Sequence, residues 1–186
     1  MNESQEAVLV RRCQAGDKEA FRMLVEQYRS VLFGTAYLMM RDRGLAEDVV
    51  QEALIQIWKN LASFRLNSSV KTWMVRIVVN EVKQQFRKKK LPMIPLEAAN
   101  DAMGTLDEPE IALIRTEKRR AVRQAIDRLP SEQKEAVVLH YFSELTVPEI
   151  AAVTKQREGT IKARLSRALD RLDGFLSLEE IQEGWR

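Results

Sequence analysis

The chain has 186 residues, 45% hydrophobic and 31% charged, with a formal net charge of +3, enough for one domain or two small ones around a real core. No apolar run approaches the roughly 18 residues of a membrane span, and the opening Met-Asn-Glu-Ser-Gln-Glu is too acidic and polar for a signal peptide. A single cysteine, Cys13, excludes an internal disulfide, and with only His140 beside it no Cys/His zinc site can form, so no metal or cofactor is expected and a reducing cytoplasm is the natural location.

Only 7 glycines and 5 prolines favour long helices. Ala7 to Ala15 reads as a short helix with Leu9, Val10 and Cys13 on its apolar side. Gly16-Asp17 breaks it, and Asp17 can cap a helix from Lys18 to about Met40. Phe21, Leu24, Val25, Tyr28, Leu32, Ala36 and Met39 form its core stripe. After a turn at Arg41-Asp42-Arg43-Gly44, a third helix is expected from Leu45 to Ala62. Val50, Leu54, Ile57 and Leu61 make its core stripe. Asp48, Gln51, Glu52 and Ile55 share the opposite face with Trp58. An exposed Ile and Trp bordering carboxylates and an amide suit a partner surface better than a solvated one.

Phe64 to Ser69 is a loop, and Ser68 or Ser69 can cap a fourth helix from Val70 to Lys90. Val75, Val78, Val79, Val82 and Phe86 face its core. Arg76, Asn80, Lys83, Gln84 and Arg87 line the other side, with Trp73 and Ile77 at the border. Such a row of Arg, Lys, Asn and Gln holds phosphates and reads base edges. Pro92 and Pro95 end the helix, and Leu91 to Leu106 reads as a linker. A capping box at Asp107 and Glu110, with Pro109 in the first turn, opens a helix reaching about Leu129. Its shared face is Ile111, Ile114, Val122, Ile126 and Leu129. Pro130-Ser131 breaks and recaps. Glu132 to Phe142 follows, with Val137, Val138 and Tyr141 as core and His140 without a role.

Leu145 to Leu172 reads as a helix-turn-helix. Thr146 and Glu149 form a capping box, Pro148 sits in the first turn, and Ile150, Ala151 and Val153 give a small apolar face. Lys155-Gln156-Arg157 is the turn. In the second helix, Glu158 to Leu172, the apolar side is Ile161, Leu165, Ala168, Leu169 and Leu172. Arg157, Thr160, Arg164, Arg167 and Arg171 fall within an arc of roughly 80° beside it. One stripe can pack while the other meets an anionic groove. Asp173-Gly174 follows, then a tail in which Ser177 and Glu180 could cap one or two more turns. No strand is expected. Lys83 to Lys90 carries five basic residues and no acid, Lys155 to Leu172 six basic residues and two acids, and Leu91 to Ile114 five acids and no base. Two basic modules around an acidic spacer suggest two contacts on one polyanion.

Taken together, these residues resemble an extracytoplasmic-function (ECF) sigma factor, the small group of the bacterial sigma-70-type family, from about Ala7 to Leu172. The resemblance rests on Gly16-Asp17 with Ala20-Phe21, Ala46-Glu47-Asp48 with Gln51-Glu52, Phe64, Trp73, and Ile77 with Asn80. It continues through Arg128-Leu129-Pro130, Glu149-Ile150-Ala151 and Glu158 to Ala168. It implies an all-α fold of two small helical domains joined by a flexible linker: region 2 over 1–90, a linker over 91–108, region 4 over 109–173, and a tail over 174–186. It implies a non-enzymatic factor that binds core RNA polymerase and directs promoter-specific initiation, controlled by an anti-sigma factor and without membrane insertion.

Asp48, Gln51, Glu52, Ile55 and Trp58 would dock on the β′ clamp helices, while region 4 would meet the β flap. The loop from Phe64 through Lys71 and Thr72, with the helix through Asn80, would engage the −10 element as melted single strand, with a flipped base in the loop pocket. Arg76, Lys83, Arg87 and Lys88 would hold its phosphates. Arg157, Thr160, Lys162, Arg164 and Arg167 would meet the −35 element, with Arg171 on the backbone. Gln84 stands where the family often has Asp, and Leu54 where it often has Phe. The tail from Phe175 to Arg186 runs past the usual end. A stand-alone helix-turn-helix regulator would explain Leu145 to Leu172 but leave the Asp48 face and the Asn80 helix without a job. A nuclease would need a clustered carboxylate site, and none is apparent.

Overall fold

The computed structural model describes residues 3–65, 67–89 and 121–183. Helices α1 (Glu3–Gln14), α2 (Lys18–Met40), α3 (Arg43–Asn60) and α4 (Val70–Lys89) form the first half, with a single 3-10 turn at Leu61–Ser63. The second half comprises α5 over 121–127, α6 (Ser131–Val137), a π-helical turn at Val138–Phe142, α7 (Val147–Thr154) and α8 (Glu158–Glu183). No strand occurs among the described residues. The expected linker over 91–108 and the capping box at Asp107 and Glu110 lie outside them.

Short polar side chains set the helix starts. Asp17 accepts from the Ala20 amide at 3.0 Å and holds Arg12 at 2.7 Å, fixing the α1–α2 corner. Asp42 accepts from the Leu45 amide at 2.9 Å, so α3 begins two residues earlier than the glycine suggested. Ser69 rather than Ser68 accepts from the Thr72 amide, at 3.1 Å. Thr146 and Glu149 complete the capping box of α7: the Thr146 amide and hydroxyl each donate to Glu149 Oε2 at 2.8 Å.

Packing corrects several of the expected stripes. In α3 the buried residues are Ala46, Val49, Ala53 and Ile57, while Val50 and Leu54 are only half-buried. The small alanines sit where α3 packs between α2 and α4, and the larger side chains are displaced to the edges. The π-helical turn widens the backbone and rotates Tyr141 outward, to 57% exposure, so Ala136, Val137, Val138 and Leu139 form the core there. Val122 and Leu169 also face solvent. The break expected at Asp173-Gly174 does not occur, because α8 runs on to Glu183. Helix formation on both sides carries Gly174 along, at a local cost of about 1 kcal/mol against alanine.

The two halves pack against each other, and one hydrophobic cluster runs from Leu9 to Ala168 through both. The π-helical turn lies on α2 and α7 lies on α4. Gly34 in α2 leaves room for the Phe142 ring, which a Cβ at that position would overlap. Beside it, the buried Thr35 and Ser143 hydroxyls meet at 2.9 Å.

Candidate nucleic-acid interface

The outer face of α3 presents Asp48, Gln51 and Glu52 to solvent, with Ile55 47% exposed among them. Trp58 is half-buried rather than exposed: its ring packs edge-on against Phe21 at 4.8 Å, which fixes the border of this face to α2. An apolar side chain held out between carboxylates and an amide is poorly solvated by itself and suited to a partner.

On α4, Arg76, Asn80, Arg87 and Lys88 are exposed along one side, while Lys83 and Gln84 are half-buried. The valines of the opposite side, Val75, Val78, Val79 and Val82, are fully buried and hold the exposed row in register. The preceding loop is built more tightly than its polarity suggested. Phe64 is 8% exposed and stacks on the buried Trp73 at 4.7 Å. Gln14, whose role nothing in the sequence signalled, donates from Nε2 to the Leu61 carbonyl at 3.1 Å and the Phe64 carbonyl at 2.8 Å. It ties the loop to α1 from 50 residues away. Lys71 and Thr72 do not join the exposed row. Thr72 is buried and donates to Glu149 Oε1 at 2.6 Å, and Lys71 pairs with Glu144 at 3.4 Å. Lys83 likewise pairs with Glu135 at 2.7 Å.

In the second half, α7 and α8 are joined by a turn in which Lys155 takes a left-handed conformation (φ 56°) and its amide bonds the Ala151 carbonyl. Ile161, Leu165 and Ala168 bury one stripe of α8. Arg157, Lys162, Arg167 and Arg171 are exposed, and Thr160 and Arg164 are half-buried beside them. Arg171 donates to Gln133 Oε1 at 3.3 Å, which anchors the far end of the basic row to α6. Asp127 lies between Arg41, the C-cap of α2, and Lys134 of α6, the latter at 3.0 Å. Burial pushes the Lys134 ammonium below its ordinary value, with Asp127 opposing the shift and Arg41 adding to it. Among the described residues no group of three or more His, Cys, Asp or Glu side chains could hold a metal ion, and no helix is long and apolar enough to cross a membrane. His140 donates from Nδ1 to the Leu145 carbonyl, 2.8 Å away, and serves the turn into α7.

An acidic, partly apolar face, a basic helix behind an aromatic loop and a helix-turn-helix in one chain are the parts of a two-domain promoter-recognition factor. The Sigma-70 region 2 model matches residues 24–91 and the Sigma-70 region 4 model residues 119–172. The chain is 32% identical to the RNA polymerase sigma-H factor of Pseudomonas aeruginosa, over 95% of this chain and 96% of that protein. It is 35% identical to the ECF RNA polymerase sigma-E factor of Escherichia coli, over 89% and 91%. Among solved structures it is similar to the sigma factor RpoE in complex with the anti-sigma factor NepR from Bartonella quintana, with a TM-score of 0.69 and 26% identity over 84% of this chain and 96% of that one. The same fold recurs in CnrH bound to the cytosolic domain of CnrY, with a TM-score of 0.68 and 21% identity over 92% and 96%. The chain belongs to the sigma-70 family of RNA polymerase sigma factors, in its extracytoplasmic-function group.

Proposed function

We propose that this chain directs promoter-specific transcription initiation by binding core RNA polymerase through the α3 face and reading two promoter elements through α4 and α8. The observation that carries this reading is the exposure, in a single chain, of the Asp48–Gln51–Glu52–Ile55 face together with two separate basic helices. A stand-alone regulator needs only α8 of these.

Asp48, Gln51, Glu52 and Ile55, bordered by Trp58, dock on the β′ clamp helices, and the second half meets the β flap. Arg76, Asn80, Lys83, Arg87 and Lys88 hold the melted −10 strand, with Lys71 and Thr72 at the loop edge and Phe64 shaping the loop from beneath. Arg157, Thr160, Lys162, Arg164 and Arg167 face the −35 major groove, and Arg171 its backbone. In this reading region 2 spans 1–90, the linker 91–108, region 4 109–173 and the tail 174–186. The factor acts in the cytoplasm and catalyses no reaction of its own. An anti-sigma partner, as bound by the relative solved with NepR, restrains it.

Transcription with purified core polymerase on a promoter library tests the function. Initiation from a shared subset of promoters is the expected result. Tight duplex binding by the chain alone with no initiation would leave it a stand-alone regulator.

A further inference from the structure

We propose that Gln14, at the end of α1, is a positioning residue for base recognition at the −10 element: its side-chain amide holds the entrance of the loop that receives the base. This rests on the assignment of that loop and α4 to the −10 strand. Gln14 Nε2 donates to the Leu61 carbonyl at 3.1 Å and to the Phe64 carbonyl at 2.8 Å. A primary amide nitrogen carries two N–H groups, so both are spent on the backbone of one short segment. Leu61 opens the 3-10 turn after α3, and its carbonyl also accepts from the Phe64 amide at 3.1 Å. Phe64 is the extended residue that follows that turn (φ −71°, ψ 119°), where the chain leaves the helix for the loop. A bond to its carbonyl fixes the plane of the peptide joining it to Arg65, and so the direction in which the loop sets out.

Each part of this clamp is itself held. Leu9, Val10 and Cys13 seat α1 in the core, and the Arg12–Asp17 pair at 2.7 Å fixes its corner with α2. Beneath the loop the Phe64 ring stacks on Trp73 of α4 at 4.7 Å. At the far end Ser69 accepts from the Thr72 amide at 3.1 Å. Ring, amide and cap thus fix the floor and both ends, while Arg65, Asn67 and Ser68 between them are exposed to a strand. Ring stacking alone sets a plane but lets Phe64 slide and its carbonyl turn. The two hydrogen bonds, being directional, remove that freedom. Base discrimination needs such a fixed wall, because a pocket that can relax accepts more than one base.

Promoter libraries test this on the full-length chain with core polymerase. One promoter that the wild type initiates is randomised across its −10 element in one library and across its −35 element in another, and the transcripts are sequenced. Gln14→Met keeps the length and bulk of the side chain and removes both donors. The ratio between the best and worst base at one −10 position should then fall by about tenfold, the worth of roughly one hydrogen bond. The −35 preferences should stay as in the wild type. Gln14→Lys supplies donors again from a flexible stem and should keep the −10 preference. Its added charge acts on all sequences alike and leaves the ratio unaltered. A merely structural role would lower transcription from every promoter together and change no ratio. That result, a loss of preference spread evenly over both elements, or flattening by Gln14→Lys as well as by Gln14→Met would overturn the assignment. Should Gln14→Met fail to fold by circular dichroism, Gln14→Glu, acceptor-only at neutral pH, takes its place with the same expectation. Asn80→Ala separates this proposal from the reading beneath it. If Asn80→Ala shifts the −10 preference while Gln14→Met does not, only the role of Gln14 is lost. If neither shifts it, the −10 assignment falls as well.

Discussion

Glu149 serves two partners at once, completing the capping box of α7 and accepting from Thr72 of α4. Burial pushes its carboxyl up, but hydrogen bonds from Thr72 and Thr146, with Lys71 nearby, outweigh this and hold it below its ordinary value of 4.5. A depressed carboxyl stabilises the fold fully above the unfolded value, and the gain is lost as pH falls through the folded value. Thermal melts of the wild type and Glu149→Gln should therefore differ most at neutral pH and converge as pH falls through the lowered folded value. Thr146→Ala removes the other half of the cap and should cost about 1 kcal/mol by denaturant titration. Arg164, half-buried in the basic row of α8, belongs to a different function. Arg164→Ala should weaken −35 binding by about 1–3 kcal/mol in a fluorescence titration if it contacts a base. An unchanged sequence preference would make it a phosphate contact.

At the scale of elements, the helices were legible wherever a cap and a three- or four-residue period coincided. Asp17 before α2 and Thr146 with Glu149 before α7 are such places, since cap and helix lie within a few residues of each other. Errors arose where distant packing decided. The small alanines of α3 outrank Val50 and Leu54 only because α2 and α4 close upon them. Tyr141 turns outward because the π-helical turn breaks the 100° step on which its assignment rested. Asp173-Gly174 reads as a stop by composition, yet α8 spans 26 residues. Gly174 is exposed, with nothing within 4 Å of a Cβ built there. Gly174→Ala should thus stabilise the chain by up to about 1 kcal/mol in a thermal melt. A loss of stability would mean that the helix does not run through this residue.

Across the whole molecule, the exposed faces followed from periodicity, but the contacts between the halves did not. Thr35 and Ser143 lie 108 residues apart, and no local pattern pairs Lys83 with Glu135. The α3 face, by contrast, is open. Asp48→Ala with Gln51→Ala should weaken core polymerase binding in a pull-down while leaving α8 binding to −35 duplex intact; loss of both would indicate misfolding. The lysine–glutamate pairs carry a last consequence, in counterions. A cation that takes a phosphate from a water-exposed state releases a condensed ion, with a salt slope of about −0.7 per contact on single strands. Lys71 and Lys83 instead leave a carboxylate for a phosphate, and salt screens the pair that opens as well as the contact that forms. Single-strand binding by the native chain should therefore depend less steeply on salt than binding by a Glu135→Gln, Glu144→Gln variant, as log–log plots of affinity against salt would show.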